Sequence, residues 1–492
     1  MARFCSSVHP PLSRRRFLQS LAIGAGALAL RSSLAGARQD AERGLVRRTP
    51  PKRVLVVGGG LAGLVAGFEL KRAGHEVTVL EATLRPGGRV RTLREPFSEG
   101  LHAEAGAGRI PSTNTLTLDY VARFRLKLVP YRPRAPEVFF LGGVRQIRRP
   151  GREVDLSKVA LDLSPDERQL GLDGLYARYV APHTRVIGAV RAESWPPAAF
   201  APLGELTIEE FLRGKGASTA AIRLLVAGFE QDSALDFLRD AWSHEAPVLS
   251  KIVGGNDLLP RAFASALTAQ IVYGAAVEAI EQDERGVRAH CMRAGERRTF
   301  AADRLICTVP FAALRGVPFS PALSPGKRRA IEELGYGSVT RVYLQTRRRF
   351  WVDEGVSGFA TVDEPMEIWA PTHDQPGERG ILLGYLYEAL ARRVASLAPA
   401  ERVTFLLESL APVYPALREH FEGGTSFVWH EQPYQRGAFS MCTKGQFAAL
   451  WPHVSPPEGR IHFAGEHASP WPGWMQGALY SGLRAAREVN DA

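Results

Sequence analysis

Cysteine is scarce in this 492-residue chain: there are four, too widely spaced for a disulfide framework or a zinc-ligand pattern. No Gly-x-Ser-x-Gly elbow occurs, and His462, Glu466 and His467 lack the spacing and the helical setting of a metalloprotease site. Hydrolase and metal-centre readings therefore fall away. No fixed-period repeat or low-complexity block is present, and no apolar run reaches the length of a membrane span. Acids are missing from residues 1–37, where Arg3, Arg14, Arg15, Arg16 and Arg31 carry five of the eleven excess positive charges. The other basic residues are scattered, as at Arg47-Arg48 and Arg347 to Arg349, without the interleaved aromatics of a nucleic-acid groove. No nucleic-acid partner is expected.

What is present begins with Ser13-Arg14-Arg15-Arg16-Phe17-Leu18-Gln19, an Ala/Gly/Leu run to Leu30 and Ala35-Gly36-Ala37. This resembles a twin-arginine export signal over residues 1–37, which implies a periplasmic or secreted protein that folds around a cofactor before export. An Arg/Gly/Pro linker (38–51) leads to VLVVGGG, the helical pattern LAGLVAGFELKRAG ended by Gly74, and the strand HEVTVLEA. A strand, turn, helix and strand in succession imply parallel pairing. Residues 116–245 read as mostly helical, with Thr207 and Glu210 placed as a capping box. The stretch from Ile271 to Met292 reads as a hairpin, SVTRVYLQ and GILLGYLYEAL as strands, and 460–465 as a short strand before a Gly-punctuated helix. A dinucleotide fold interrupted by a second, mixed domain is the expected architecture.

The chemistry starts at Gly58-x-Gly60-x-x-Gly63, which follows a strand and opens a helix, with Glu81 about 20 residues on at the end of the next strand. The glycines permit the tight turn, the approach of a pyrophosphate and close helix packing, while helix N–H groups favour phosphate. Glu81 is placed to accept hydrogen bonds from a ribose. These residues, with Leu61 and Ala62 in the turn, are expected to bind a dinucleotide.

VLEATLRPGGRV (79–90) is similar to the second FAD signature of the flavin amine oxidases, which implies contacts from Ala82, Gly88 and Arg89 and favours FAD over NAD. IHFAGEHAS and GWMQGALYSGLRAA resemble that family's closing segment, implying cofactor contacts from Glu466, Gly473, Trp474, Met475, Gln476, Gly477 and Ala478. IVGGNDLLPRAFASAL and Val277 resemble the internal segment that meets the adenine. Within the family, EAGAGRIP (104–111) resembles the L-amino-acid oxidases: Gly106, Ala107, Gly108 and Arg109 would border the flavin, and Arg109 would also grip the substrate carboxylate bidentately. Tyr385 falls where those oxidases carry a tyrosine for the same carboxylate. Phe439 and Trp474 fall at the aromatic walls, and the Gly473 backbone would meet the amine. Ala438 stands where covalent members carry a flavin-linking cysteine, so non-covalent FAD is implied. Arg341 replaces a lysine that holds a water near flavin N5, the position with a catalytic role.

The resemblance implies an α/β fold: a Rossmann-like FAD-binding domain in three parts (52–115, 246–320, 441–492), a helical substrate region (116–245) and an inserted mixed substrate-binding domain (321–440). It implies oxidation of an L-amino acid to a 2-oxo acid, ammonia and hydrogen peroxide. A monoamine or polyamine oxidase, a dehydrogenase using another acceptor, and an FAD-binding protein without turnover are the alternatives. Partners would be the amine, oxygen or another acceptor; a homodimer is left open.

Overall fold

The computed structural model describes residues 44–149, 151–188, 190 and 194–492; the export signal expected over residues 1–37 and residues 38–43 of the expected linker lie outside them. The chain enters on β1 (Arg53–Val57), turns through glycines into α1 (Leu61–Arg72) and returns on β2 (Glu76–Glu81), which pairs parallel with β1. Strands 271–273, 304–307 and 461–463 complete a five-stranded sheet, all parallel, in the order 271–273, β2, β1, 304–307, 461–463. Its strands thus come from three separated stretches of sequence. α1 is buried from Leu61 to Leu70, as its apolar composition requires, because the C-terminal helix packs across it. That packing is close: a Cβ on Gly482 would lie 2.2 Å from the Ala62 carbonyl oxygen.

A seven-stranded mixed sheet forms the second layer, in the order 421–428, 339–346, 380–387, 366–369, 360–362, 137–141, 144–148. Every residue of Val339–Thr346 and Gly380–Tyr387 is buried, which fits central strands covered on both faces. An antiparallel meander (276–282, 287–293, 296–302) and a group of helices that includes α2 (Ala234–His244) share one hydrophobic core with residues of the parallel sheet. The chain closes on α3 (Met475–Asp491).

Several expectations hold locally: the Thr207/Glu210 capping box is formed, and strand 461–463 precedes the final helix. Others need correction. The expected hairpin from Ile271 splits at Gly274, whose φ of +69° turns the chain: Ile271–Tyr273 joins the parallel sheet, and only Ala276–Gln282 pairs with Val287–Arg293. The stretch expected to be mostly helical holds strands at 128–130, 137–141 and 144–148. EVFFL-GG-VRQIR is a hairpin, its two-residue turn made by Gly142 and Gly143, both at positive φ. Strand GILLGYLY ends at Tyr387, and Glu388 starts a helix.

Candidate active site

One cavity of about 1620 Å³ runs from the C-terminal ends of the parallel strands to a face of the mixed sheet. Ligands collect at such strand ends because helix N-termini converge there. At this end Gly58 takes a φ of +109°, and a Cβ on Gly60 would meet nothing within 4 Å, so the backbone lies open to the cavity. Gly63 serves packing instead: a Cβ there would lie 2.0 Å from the Gly58 carbonyl oxygen. α1 has no side-chain cap and no acid in its first turn, which leaves its N–H groups and its positive dipole end for an anion. Glu81 shapes the turn, accepting from Gly59 N at 2.7 Å and Thr83 N at 2.8 Å, and borders the cavity with Ala82.

The Gly87-Gly88 turn carries Arg89 across to Glu466, with Nη1 2.7 Å from Oε1. Glu466 also accepts from Ser440 Oγ and Gly473 N, each at 2.8 Å. Burial alone would raise its pKa, but the Arg89 charge, with these donors, holds it below the usual range. Gly106, Ala107, Gly108, Val277, Gly473, Trp474, Met475 and Ala478 all line the cavity. Gln476 and Gly477 do not: the Gln476 side chain turns away to accept from Thr117 N at 3.0 Å, and Gly477 packs on the Trp471 carbonyl. α3, like α1, lacks a side-chain cap and first-turn acids. Two bare helix N-termini, open glycine backbone and a ribose-height carboxylate form a cradle that fits FAD. The free cysteines Cys291, Cys307 and Cys442 are buried, and no cysteine lines the cavity among the described residues, so FAD is held without a thioether.

At the other end, strand register makes the site. Arg341 lies directly opposite Tyr385, and Tyr385 opposite Glu367, on three adjacent strands. Directly opposed residues share a face, and the period of two adds Tyr387 and Trp369 to it. Arg109 reaches this row from its own loop: Nη1 is 3.0 Å from Glu367 Oε2, and the guanidinium lies 4.9 Å from the Trp369 ring centre. Trp369 Nε1 and the Tyr387 hydroxyl also donate to Glu367. Burial would raise the Glu367 pKa, but Arg109 and then Tyr387 hold it at about 2, so it is an anion throughout the working range. Burial opposes the Arg109 charge too, and Glu367 outweighs it, so its pKa is raised.

Arg341 does not turn to solvent. It is buried, donates to the Glu104 carbonyl at 2.7 Å, and sits 4.3 Å and 4.9 Å from the ring centres of Tyr385 and Trp369. Phe439 packs against Gly473, where an added Cβ would lie 3.5 Å from it, and the neighbouring Trp474 donates to Asp240 Oδ1 at 2.7 Å. The cavity therefore brings together Arg109, Arg341, Tyr385, Phe439, Gly473 and Trp474. Sequence reasoning missed Glu367, Trp369, Tyr387 and the α2 residues Asp236, Asp240 and His244, all of which line the cavity. Period-two alternation from Tyr385 points to Tyr387, and i, i+4 spacing groups the acids of α2. No local signal pairs Glu367 with Arg109, 258 residues away. Among the described residues no His/Cys/Asp/Glu group could hold a metal ion.

YobN of Bacillus subtilis (strain 168), described as "Putative L-amino-acid oxidase", is 36% identical over 467 residues, covering 91% of this chain and 96% of that one. The L-amino-acid oxidase BmooLAAO-I of Bothrops moojeni is 29% identical, with 92% of each chain covered. Among solved structures, a triple mutant of putrescine oxidase superposes with a TM-score of 0.78 at 22% identity, over 89% of this chain and 98% of that one. Cyclohexylamine oxidase from Brevibacterium oxydans IH-35A gives 0.77 at 21%, over 90% and 99%, a likeness of fold. The flavin containing amine oxidoreductase family matches residues 61–490, and this chain, a flavin-dependent amine oxidase of mixed α/β fold, belongs to it.

Proposed function

We propose that the protein oxidises the Cα–N bond of an L-amino acid, with the 2-oxo acid, ammonia and hydrogen peroxide as final products. The observation that carries this reading is Arg109, a guanidinium on a side chain only 12% exposed that lines the same cavity as Tyr385, Gly473, Phe439 and Trp474. A substrate carboxylate placed on Arg109 and the Tyr385 hydroxyl directs Cα toward the gap between the sheet face and Gly473. Phe439 and Trp474 exclude water there and flank the amine without supplying a base. FAD, when bound, would supply the acceptor for the two electrons of the Cα–H bond, so that the C–N bond becomes an imine that water hydrolyses. Residues 52–115, 246–320 and 441–492 would form its binding domain, 116–245 the helical region and 321–440 the substrate-binding domain. Residues 1–37 would direct twin-arginine export to the periplasm or beyond.

Glu367 favours a second reading. Its carboxylate already occupies Arg109, so a plain amine, with no carboxylate to place, fits the same cavity. Anaerobic bleaching of the flavin spectrum decides between them. L-amino acids should bleach it at low concentrations where their decarboxylated counterparts do not; the reverse order would reject the amino-acid reading. The purified protein should be yellow, and acid precipitation should release its FAD into the supernatant. Flavin retained in the pellet would contradict the cysteine-free cavity.

A further inference from the structure

Asp232, Asp236, Asp240 and His244 follow one another at four-residue steps from just before α2 to its last turn, and all four line the cavity. Asp236, Asp240 and His244 therefore lie on one helix face, neighbours ~6 Å apart, while Asp232, in a bridge to Thr443 two residues before the helix begins, lines the same cavity beside them. Asp236 Oδ2 accepts from Cys442 N at 2.8 Å, and Asp240 accepts from Trp474 and lies 3.5 Å from His244 Nε2. Asp232 differs. It is only 8% exposed, yet no donor reaches its carboxyl among the described residues. Nor does any lysine or arginine ion-pair with these three acids among those residues.

A buried carboxyl without a partner carries a desolvation cost. Burial, then Asp236, Glu388, Asp240 and Glu230, push Asp232 up to about 9; burial, then Asp240 and Glu466, push Asp236 to about 7. A carboxyl held at about 9 is protonated at neutral pH, and a cation arriving beside it in the cavity would favour its ionised form. Among the described residues no group of three or more His, Cys, Asp or Glu side chains could hold a metal ion, so an organic cation fits better. The position fits the substrate: Phe229, whose carbonyl accepts from Asp232 N, packs its ring 4.9 Å from Tyr387, and Tyr387 donates to the Glu367 paired with Arg109. The acidic face thus borders the end of the cavity where the carboxylate is held.

We infer that the acidic face of α2 receives the cationic end of the substrate side chain, so that the preferred substrates are L-amino acids ending in an ammonium or guanidinium group, with Asp232 setting the preference. This rests on Arg109 as the carboxylate clamp. Norleucine is lysine without its terminal ammonium group, which makes the pair a direct probe. For the wild-type holoenzyme kcat/KM should be at least tenfold higher for L-lysine or L-arginine than for L-norleucine; which of the two leads assigns the site to ammonium or guanidinium. Asp232→Asn should lower the lysine-to-norleucine ratio at least tenfold. A wild-type enzyme that prefers norleucine, or an Asn variant that loses both substrates equally, overturns the assignment while leaving amino-acid oxidation intact. Cadaverine bleaching the flavin while no amino acid does so would instead overturn the clamp, and this inference with it.

Discussion

Replacing Arg109 by leucine is expected to lower kcat/KM for L-amino acids by two orders of magnitude or more, while decarboxylated amines lose far less. The magnitude follows from removing a charged hydrogen-bond partner, about 3 kcal/mol of transition-state binding. The structure adds a second consequence. Arg109 is the cation that keeps Glu367 ionised in a setting that would otherwise raise its pKa, so the single variant leaves a carboxylate facing Tyr387 and Trp369 without its counter-charge. Breaking a buried pair costs about 3–5 kcal/mol of stability, and Glu367, with a side chain 32% exposed, should fall at or below the lower end. The double variant Arg109→Leu with Glu367→Leu removes both charges and separates the effects. It should recover thermal stability yet stay inactive on amino acids. A double variant that oxidises amino acids at the wild-type rate would show that Arg109 serves only Glu367.

The parts of the site that were legible from sequence are those in which one short segment carries both the conformation and the chemistry. Gly58 to Gly63 announce a strand, a turn and a bare helix end within a few residues, and Glu81 follows from the length of one helix and one strand. The closing segment was legible for the same reason, although Gln476 shows the limit: on a helix that begins at the cavity, its side chain faces the protein interior and Thr117. The substrate end depends on register between strands distant in sequence. Arg341, Tyr385 and Glu367 become neighbours only when strands 339–346, 380–387 and 366–369 align, and nothing local to any one of them encodes that alignment. The hairpin at 137–148 is hidden for a different reason. Its Gly142-Gly143 turn is a local signal, but it stands in a stretch whose other elements are mostly helices, and two five-residue strands carry little periodicity of their own.

Arg341 is expected to separate the two halves of the catalytic cycle. Its guanidinium is fixed by the Glu104 carbonyl and by the faces of Tyr385 and Trp369, while its Nε is buried without a hydrogen-bond partner. A lysine in its place would put a compact ammonium on a flexible stem, able to hold a water but unable to stack on both rings, so the exchange is not conservative. In the wild type the guanidinium is instead committed to the Glu104 carbonyl and the two rings. Stopped-flow traces should therefore show rapid flavin reduction by substrate and slow reoxidation by oxygen, with a quinone or dye the better acceptor. Arg341→Lys should speed reoxidation by oxygen at least tenfold. Fast wild-type reoxidation, unchanged in the lysine variant, would mean that Arg341 only braces Tyr385 and Trp369, and that oxygen is the ordinary acceptor.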